Sequence, residues 1–288
     1  MKISFASIFW LLSSVLNAQQ FYPPQLPNTE RHLYKEASDV KLHLYVYKPA
    51  NWTSEDNRPA IVFYFGGGWM GGNPSHFSSQ AQHYADRGLV TVLADYRVTS
   101  RHKTKAKHCL EDARDTMRYV RAKAKQLGID PNWIASSGGS SGGHLAACLG
   151  TIKDPLEKVS SVPNAMILFN PVCVLAPIDG VELSSWYLKT MEERAGLPLK
   201  ELSPAHHVRP GNPPCVMFHG TDDKKVTFAT AKKFSQLMNQ VGNECTLHSF
   251  EGRGHGFFNR GQKEREDQDY HQTLALADEF LKKLKWID

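Results

Sequence analysis

A serine framed by glycines is the feature of this chain best suited to chemistry. Ser141 has a glycine two positions to either side, Gly139 and Gly143, which gives the pattern G-x-S-x-G. Apolar residues 133–135 precede this segment, and small residues typical of a helix, 144–147, follow it. The pattern predicts a sharp turn between a strand and a helix, in which the glycines prevent clashes and the serine hydroxyl stands exposed. Ser141 is therefore the predicted nucleophile.

Serine is a weak nucleophile near neutral pH, so it needs a neighbouring base, and the base needs an acid to orient it. His255 lies between two glycines, in a loop that follows the predicted strand at residues 246–250. These glycines give the loop the freedom to turn the imidazole over the end of a strand. Asp222 and Asp223 follow another apolar segment, and the side chain of either could reach the histidine. The three groups occur in the order Ser, Asp, His.

A run of glycines follows the apolar segment at residues 60–65. It consists of Gly66, Gly67 and Gly68 and ends at Trp69. Attack on a carbonyl carbon places negative charge on the carbonyl oxygen, and backbone N–H groups must already point toward that oxygen. Because glycines have no side chain in the way, the main chain can approach closely. The run is predicted to supply these donors.

Apolar runs alternate with helix-like segments along most of the chain. This alternation predicts an α/β fold with a mostly parallel central sheet flanked by helices on both faces. The predicted strands are residues 42–46, 60–65, 89–94, 133–136, 165–169, 215–218 and 246–250. The predicted helices are residues 80–87, 105–127, 144–149, 228–241 and 267–286, with a turn at 130–131. Residues 172–214 interrupt the alternation, and in such a sheet they would rise over the carboxyl edge as a lid or substrate wall.

The length of 288 residues suits one large domain, residues 19–288, preceded by a signal peptide. Lys2, the apolar residues 3–16 and the small Ala18 predict that residues 1–18 direct secretion or transport to the periplasm. No other segment is apolar over the ~20 residues that span a bilayer, so we expect no stable membrane insertion. The net charge of +5 is spread along the chain, which argues against a nucleic-acid partner. The five cysteines are dispersed without a C-x-x-C pair, so no zinc site is predicted.

Taken together, these motifs resemble the α/β-hydrolase superfamily, and within it the hormone-sensitive-lipase-like and acetyl-xylan-esterase-like group of carboxylesterases. The resemblance covers roughly residues 40–285. The matching segments are G-G-G-W at 66–69, A-D-Y-R at 94–97, G-S-S-G-G-H-L-A at 139–146, H-G-T followed by Asp223 at 219–223, and G-H-G-F at 254–257.

The resemblance implies a role for each residue of the site. Ser141 would be the nucleophile and His255 the base. Asp223 would be the acid in preference to Asp222, because Asp223 matches the acid position of the H-G-x-x-D-x-x-V loop found in this class. The implied oxyanion donors are the N–H groups of Gly67, Gly68 and Gly142.

The implied reaction is hydrolysis of an ester through an acyl-enzyme, with no metal or organic cofactor. Together with the signal peptide, the resemblance extends this expectation to acetyl or other small acyl groups on a polysaccharide. Trp69 and Trp186 are candidates for stacking on a sugar, although core packing is the expected fate of Trp69. The family usually has histidine where this chain has Phe65, which leaves the support beneath the glycine loop open.

Three other functions compete with this interpretation. A peptidase of the prolyl-oligopeptidase type shares the order of the three groups, but such enzymes usually carry a further large domain. A lipase would need a strongly apolar lid, which residues 172–214 do not provide. A glycan-binding module on a decayed hydrolase fold is suggested by Phe65, but the presence of serine, aspartate and histidine argues against it.

Overall fold

The structure is a computed structural model that describes residues 22–156, 158–262 and 265–288. In these ranges eight strands form one sheet in the order β1-β2-β4-β3-β5-β6-β7-β8. The strands are β1 Glu30–Ala37, β2 Val40–Tyr47, β3 Arg58–Tyr64, β4 Val90–Ala94, β5 Ile129–Gly139, β6 Ala165–Phe169, β7 Cys215–Gly220 and β8 Cys245–Phe250. The helices are α1 Ser78–Asp86, α2 Thr99–His102, α3 Ala106–Ala122, α4 Ala124–Leu127, α5 Ser141–Thr151, α6 Ser185–Ala195, α7 Phe228–Gln240 and α8 Gln268–Lys283. The predicted signal peptide lies outside the described residues.

The sheet is parallel except where β2 joins it. β2 runs antiparallel to both β1 and β4, and the other five pairings are parallel. The carboxyl ends of β3, β5, β6, β7 and β8 therefore lie along one edge, which is where ligands bind in open α/β sheets.

The apolar runs of the central strands are buried on both sides, because helices cover both faces. On one face they pack against the apolar sides of α3, α5 and α7. On the other face they pack against α1 and α8. The predicted α/β-hydrolase architecture is confirmed, with helices on both faces of a mostly parallel sheet.

The structure differs locally from the sequence predictions. The edge strand β1 was not predicted, because charged residues interrupt its alternation and much of it is exposed. The single helix predicted at residues 105–127 is divided at Lys123 into α3 and α4. Residues 130–131 belong to β5, which starts at Ile129 with a pairing to Arg58, so the predicted turn is absent from this described segment.

The insertion at residues 172–214 contains α6 and two short 3₁₀ helices, Leu199–Leu202 and Pro204–His207. Buried hydrogen bonds join it to α5: the His144 Nε2 donates to the Leu202 carbonyl oxygen at 2.7 Å, and the Asn212 Nδ2 donates to the Gly150 carbonyl oxygen at 2.7 Å. Burial lowers the pKa of His144 to about 4, so this imidazole is neutral at neutral pH. The insertion is thereby held over the carboxyl edge of the sheet.

All five cysteines are buried and free. Apart from residues 157, 263 and 264, none of the helices between residues 22 and 288 combines the length and apolar character needed to cross a membrane.

Candidate active site

The serine at the sharp turn between β5 and α5 is Ser140, so the prediction that Ser141 occupies this turn is wrong. Ser140 has φ 55° and ψ −120°, a backbone conformation that non-glycine residues rarely adopt and that is found at functional sites. It lines a cavity of about 570 Å³. Ser141 is the first residue of α5, is wholly buried and does not line that cavity.

The sequence allows this error because the pattern G-x-S-x-G occurs twice in overlapping positions. Gly138 and Gly142 flank Ser140 at the same spacing as Gly139 and Gly143 flank Ser141. A Cβ on Gly142 would lie 2.0 Å from the Tyr64 carbonyl oxygen. A Cβ on Gly138 would lie 2.6 Å from the backbone of Gly142. The pair around Ser140 is thus the one that lets β5, α5 and β3 close on each other.

Because the serine at the turn is Ser140 and not Ser141, the expected oxyanion donor at the start of α5 also changes. In a nucleophile elbow the donor is the N–H of the residue after the nucleophile, which here is Ser141. As the first residue of α5, Ser141 has an N–H without a partner inside the helix. Gly142 does not line the cavity, and its lack of a side chain serves the close contact with β3.

Asp223 and His255 form a hydrogen-bonded pair at the ends of β7 and β8. The His255 Nδ1 lies 2.7 Å from the Asp223 Oδ2. The other carboxylate oxygen, Oδ1, accepts hydrogen bonds from the N–H groups of Lys225 at 2.8 Å and Val226 at 3.0 Å. Asp222 is exposed, so the structure brings Asp223 and not its neighbour to the histidine.

The buried Asp223 carboxylate is kept ionised by its hydrogen bonds. Burial acts to raise its pKa, but the bonds from His219, His255 and the backbone outweigh this effect and hold the pKa well below its usual value. His219 was not predicted as a site residue. Its Nε2 donates to the Val226 carbonyl oxygen at 2.8 Å and lies 3.4 Å from the Asp223 Oδ2.

The glycine loop after β3 faces the same cavity. Gly67 has φ 136° and Gly68 has φ 62°, values that glycine adopts without strain, and both residues line the cavity. Within the described part of the chain, neither amide N–H donates a hydrogen bond. The main chain at these two residues can therefore offer donors to a ligand.

A histidine that was not predicted fixes the start of this loop. The N–H of Gly66 donates to the His76 Nδ1 at 2.9 Å, so the ring proton lies on Nε2. That Nε2 is 3.0 Å from the Asn259 Oδ1 and donates to it. Burial lowers the pKa of His76, which favours this neutral form.

Phe65 supports the glycine loop by stacking. Its ring lies on that of Tyr96, with the centroids 3.9 Å apart and the planes at 11°. The Tyr96 hydroxyl also donates to the Phe65 carbonyl oxygen at 2.6 Å. The aromatic pair thus supplies the side-chain support that the absence of the usual histidine had left open.

Ser140, His255, Gly67 and Gly68 surround one cavity of about 570 Å³ beneath the insertion. Trp186 of α6 is 74% exposed and forms part of the cavity wall. Such an exposed ring is available to a ligand.

Trp69 also contributes to the cavity wall, but only 2% of it is exposed. Its ring meets that of His144 edge-on at 5.0 Å. Core packing is thus its main contact, as the sequence analysis expected.

Asn170, directly after β6, is a further cavity residue that the sequence analysis did not identify. It is wholly buried, has φ 32° and lines the cavity. Its side-chain oxygen and nitrogen have no hydrogen-bond partner among the described residues. Buried polar atoms of this kind usually have partners, so Asn170 is placed to bind a group that enters the cavity. The only signal in the sequence was its position directly after an apolar run.

Comparison with known proteins agrees with this geometry. The chain matches the BD-FAE family model over residues 44–238, more than half of its length. It also matches the dienelactone hydrolase family model over residues 197–287.

Individual relatives are esterases. A probable isoprenylcysteine alpha-carbonyl methylesterase of Arabidopsis thaliana is 28% identical over 73% of this chain and 47% of its own length. An acetylxylan esterase of Xylanibacter ruminicola is 28% identical over 77% of this chain and 45% of its own length. The chain spans about half the length of the curated relatives it matches. The butyrate-bound structure of Thermogutta terrifontis esterase 2 is 44% identical, with a TM-score of 0.87 over 93% of this chain and 99% of that one.

Proposed function

Since the chain belongs to the BD-FAE family, a carboxylesterase group of the α/β-hydrolase fold, we propose that it hydrolyses small acyl esters through a serine acyl-enzyme. One observation carries the proposal. The strained Ser140, the His255 that pairs with Asp223, and the glycine loop all line one cavity at the carboxyl edge of the sheet.

In the proposed mechanism Ser140 Oγ attacks the acyl carbon while the His255 Nε2 takes its proton. The ionised Asp223 accepts a hydrogen bond from the His255 Nδ1, which holds the imidazole in the required tautomer and stabilises its positive charge. The negative charge that forms on the carbonyl oxygen is bound by backbone N–H groups of Gly67, Gly68 and Ser141. His255 then gives the proton to the leaving alcohol, and a water molecule activated by the same imidazole releases the acid.

The proposal of a small acyl group, acetyl or slightly longer, has two supports. The cavity of about 570 Å³ must hold both sides of the ester, which leaves limited room for a long chain. The structural neighbour from Thermogutta terrifontis binds butyrate.

The proposal of a polysaccharide as the alcohol rests on the exposed ring of Trp186 and on the acetylxylan esterase relative. Export directed by residues 1–18 remains part of this proposal, because a polymer of this kind lies outside the cell. Release of acetate from acetylated xylan tests the substrate. We expect Trp186→Ala to raise KM on the polymer more than on p-nitrophenyl acetate, and equal effects on both would contradict a sugar contact.

The nucleophile is tested with two matched variants of adjacent residues. Ser140→Ala should lower kcat on p-nitrophenyl acetate by at least about a thousandfold, because the nucleophile is removed. Ser141→Ala retains the backbone N–H and should stay within about tenfold of the parent protein. Loss of activity in Ser141→Ala together with retention in Ser140→Ala would refute the assignment.

A further inference from the structure

The side chains around the cavity carry an unbalanced charge. Three permanent cations line it, Arg194 from α6 and Lys224 and Lys225 from the loop after β7. Among the described lining residues there is no aspartate or glutamate, since Asp223 lies behind His255. A concave site lined by one sign of charge concentrates ligands of the opposite sign.

Arg194 lies beside the glycine loop. A Cβ on Gly68 would lie 2.9 Å from the Arg194 Nη1, so the guanidinium group lies directly against the glycine loop. Lys224 and Lys225 are exposed and lie on the loop that carries Asp223.

The Arg194 guanidinium forms no ion pair or hydrogen bond with any described residue. Two other half-buried arginines of this protein form ion pairs: Arg97 with Asp112 at 2.8 Å, and Arg253 with Asp269 at 2.7 Å. The acidic residues beside Arg194 on its own helix, Glu192 and Glu193, are exposed and do not line the cavity. An arginine presents several N–H donors in a planar arrangement that matches a carboxylate, and here those donors have no internal partner.

We propose, on the basis of the esterase function proposed above, that the cavity selects esters carrying an acidic group that binds Arg194. The acidic group pairs with the guanidinium beside the glycine loop, while the two lysines attract the anion to the cavity. The acid belongs either to the alcohol or to the acyl part of the ester. Uronic acid units of a polysaccharide are an example of the first source, and dicarboxylic acid monoesters are an example of the second.

Two pairs of substrates separate these sources, and each pair contrasts an acid with its neutral amide. On the alcohol side the pair is 4-acetoxybenzoate and 4-acetoxybenzamide, and on the acyl side it is monomethyl adipate and methyl adipamate. The measured quantity is the ratio of kcat/KM for the acid to kcat/KM for the amide. We expect Arg194→Gln to lower this ratio about tenfold in at least one of the two pairs, because the variant loses the charge-assisted hydrogen bond to the acid. Arg194→Lys should restore part of it.

Lys189→Gln is the matched control, because it removes the same charge from the exposed side of α6, away from the cavity. The ratio of kcat/KM for the acid to kcat/KM for the amide should be the same in Lys189→Gln as in the parent protein. Raising NaCl from about 0.1 M to about 1 M should also lower the parent's ratio, since screening shortens the range of the attraction.

The neutral amides keep this test separate from that of the esterase function. If neither amide nor acid is hydrolysed, the proposed function itself fails. If the amides are hydrolysed but Arg194→Gln leaves both ratios unchanged, or lowers acid and amide equally, acid recognition by Arg194 is refuted.

Discussion

Replacement of Asp223 by asparagine removes one acceptor from a carboxylate that uses both of its oxygens. Oδ1 accepts from the N–H groups of Lys225 and Val226, and Oδ2 accepts from His255. Asparagine offers only one oxygen, so its NH₂ group must face either the backbone donors or the histidine. Two backbone bonds outweigh one side-chain bond, and the NH₂ group is therefore expected to face the imidazole.

This orientation has a direct consequence for catalysis. A donor facing the His255 Nδ1 forces the ring proton onto Nε2, which can then no longer accept the proton of Ser140. In the serine protease triad the equivalent change lowers kcat by about 10⁴-fold, which corresponds to about 5 kcal/mol. We expect a loss of about 10³- to 10⁴-fold for Asp223→Asn, with little change in KM.

The assay is steady-state hydrolysis of p-nitrophenyl acetate at neutral pH, with Asp222→Asn as the matched control. Asp222 is exposed and adjacent, so the control makes the same chemical change outside the site and should keep kcat within about twofold. If Asp223→Asn kept more than about a tenth of the parent kcat, the proposed orienting role would be wrong.

The same carboxylate makes stability depend on pH. Its pKa in the folded protein is held well below the usual value, so its ionised form stabilises the fold above the unfolded-state pKa of about 4. That contribution is lost as the pH falls toward the folded-state pKa. The free energy of unfolding of the parent protein, measured in urea, should therefore exceed that of Asp223→Asn at neutral pH. The difference between the two proteins should shrink below about pH 4.

Other predictions concern parts that hold the site in place. Since burial lowers the pKa of His144 to about 4, stability should fall by up to about 3 kcal/mol as the pH decreases from about 6.5 to about 4, and His144→Gln should remove this dependence in urea unfolding. An unchanged pH profile in that variant would contradict the assigned cause. Gly142→Ala places a Cβ 2.0 Å from the Tyr64 carbonyl oxygen and should destabilise the protein by about 3 kcal/mol, whereas Gly254→Ala, with nothing within 4 Å, should be mild in thermal melts. Equal melting temperatures would argue against close packing at the turn. Asn170→Ala should raise KM or lower kcat for esters without lowering the melting temperature, because its buried amide has no protein partner among the described residues. A lower melting temperature with unchanged kinetics would assign Asn170 a structural role.

The central sheet could be predicted because its strands are apolar runs buried on both faces. Residues 60–64, 90–94 and 165–169 show this pattern, and each lies in an observed strand. The edge strand β1 could not be predicted, since its stability comes from pairing with β2 and half of its side chains meet solvent.

The site was predicted best where one residue stood out from its surroundings. His255 was identified from its glycines and its position after the last strand, and the structure places it against Asp223. The serine at the turn was misplaced by one residue because both serines satisfy the same glycine spacing. The backbone angles, the lining of the cavity and the contacts of Gly142 distinguish them, and these depend on how α5 packs against β3.

Supporting residues such as His76 and Asn170 were not predictable, because their roles depend on contacts made in the folded chain. His76 acts through the Gly66 N–H, and Asn170 matters because the fold buries its amide without a partner among the described residues. Neither residue belongs to a motif with a fixed spacing.

The identity of the nucleophile is tested most directly by covalent labelling. After inactivation of the protein with paraoxon, tandem mass spectrometry of the peptide spanning residues 140 and 141 locates the diethylphosphoryl group between the two serines. We predict that the label lies on Ser140, and that it persists in Ser141→Ala and disappears in Ser140→Ala. A label on Ser141, or an active protein in which Ser140 stays unlabelled, would contradict the account.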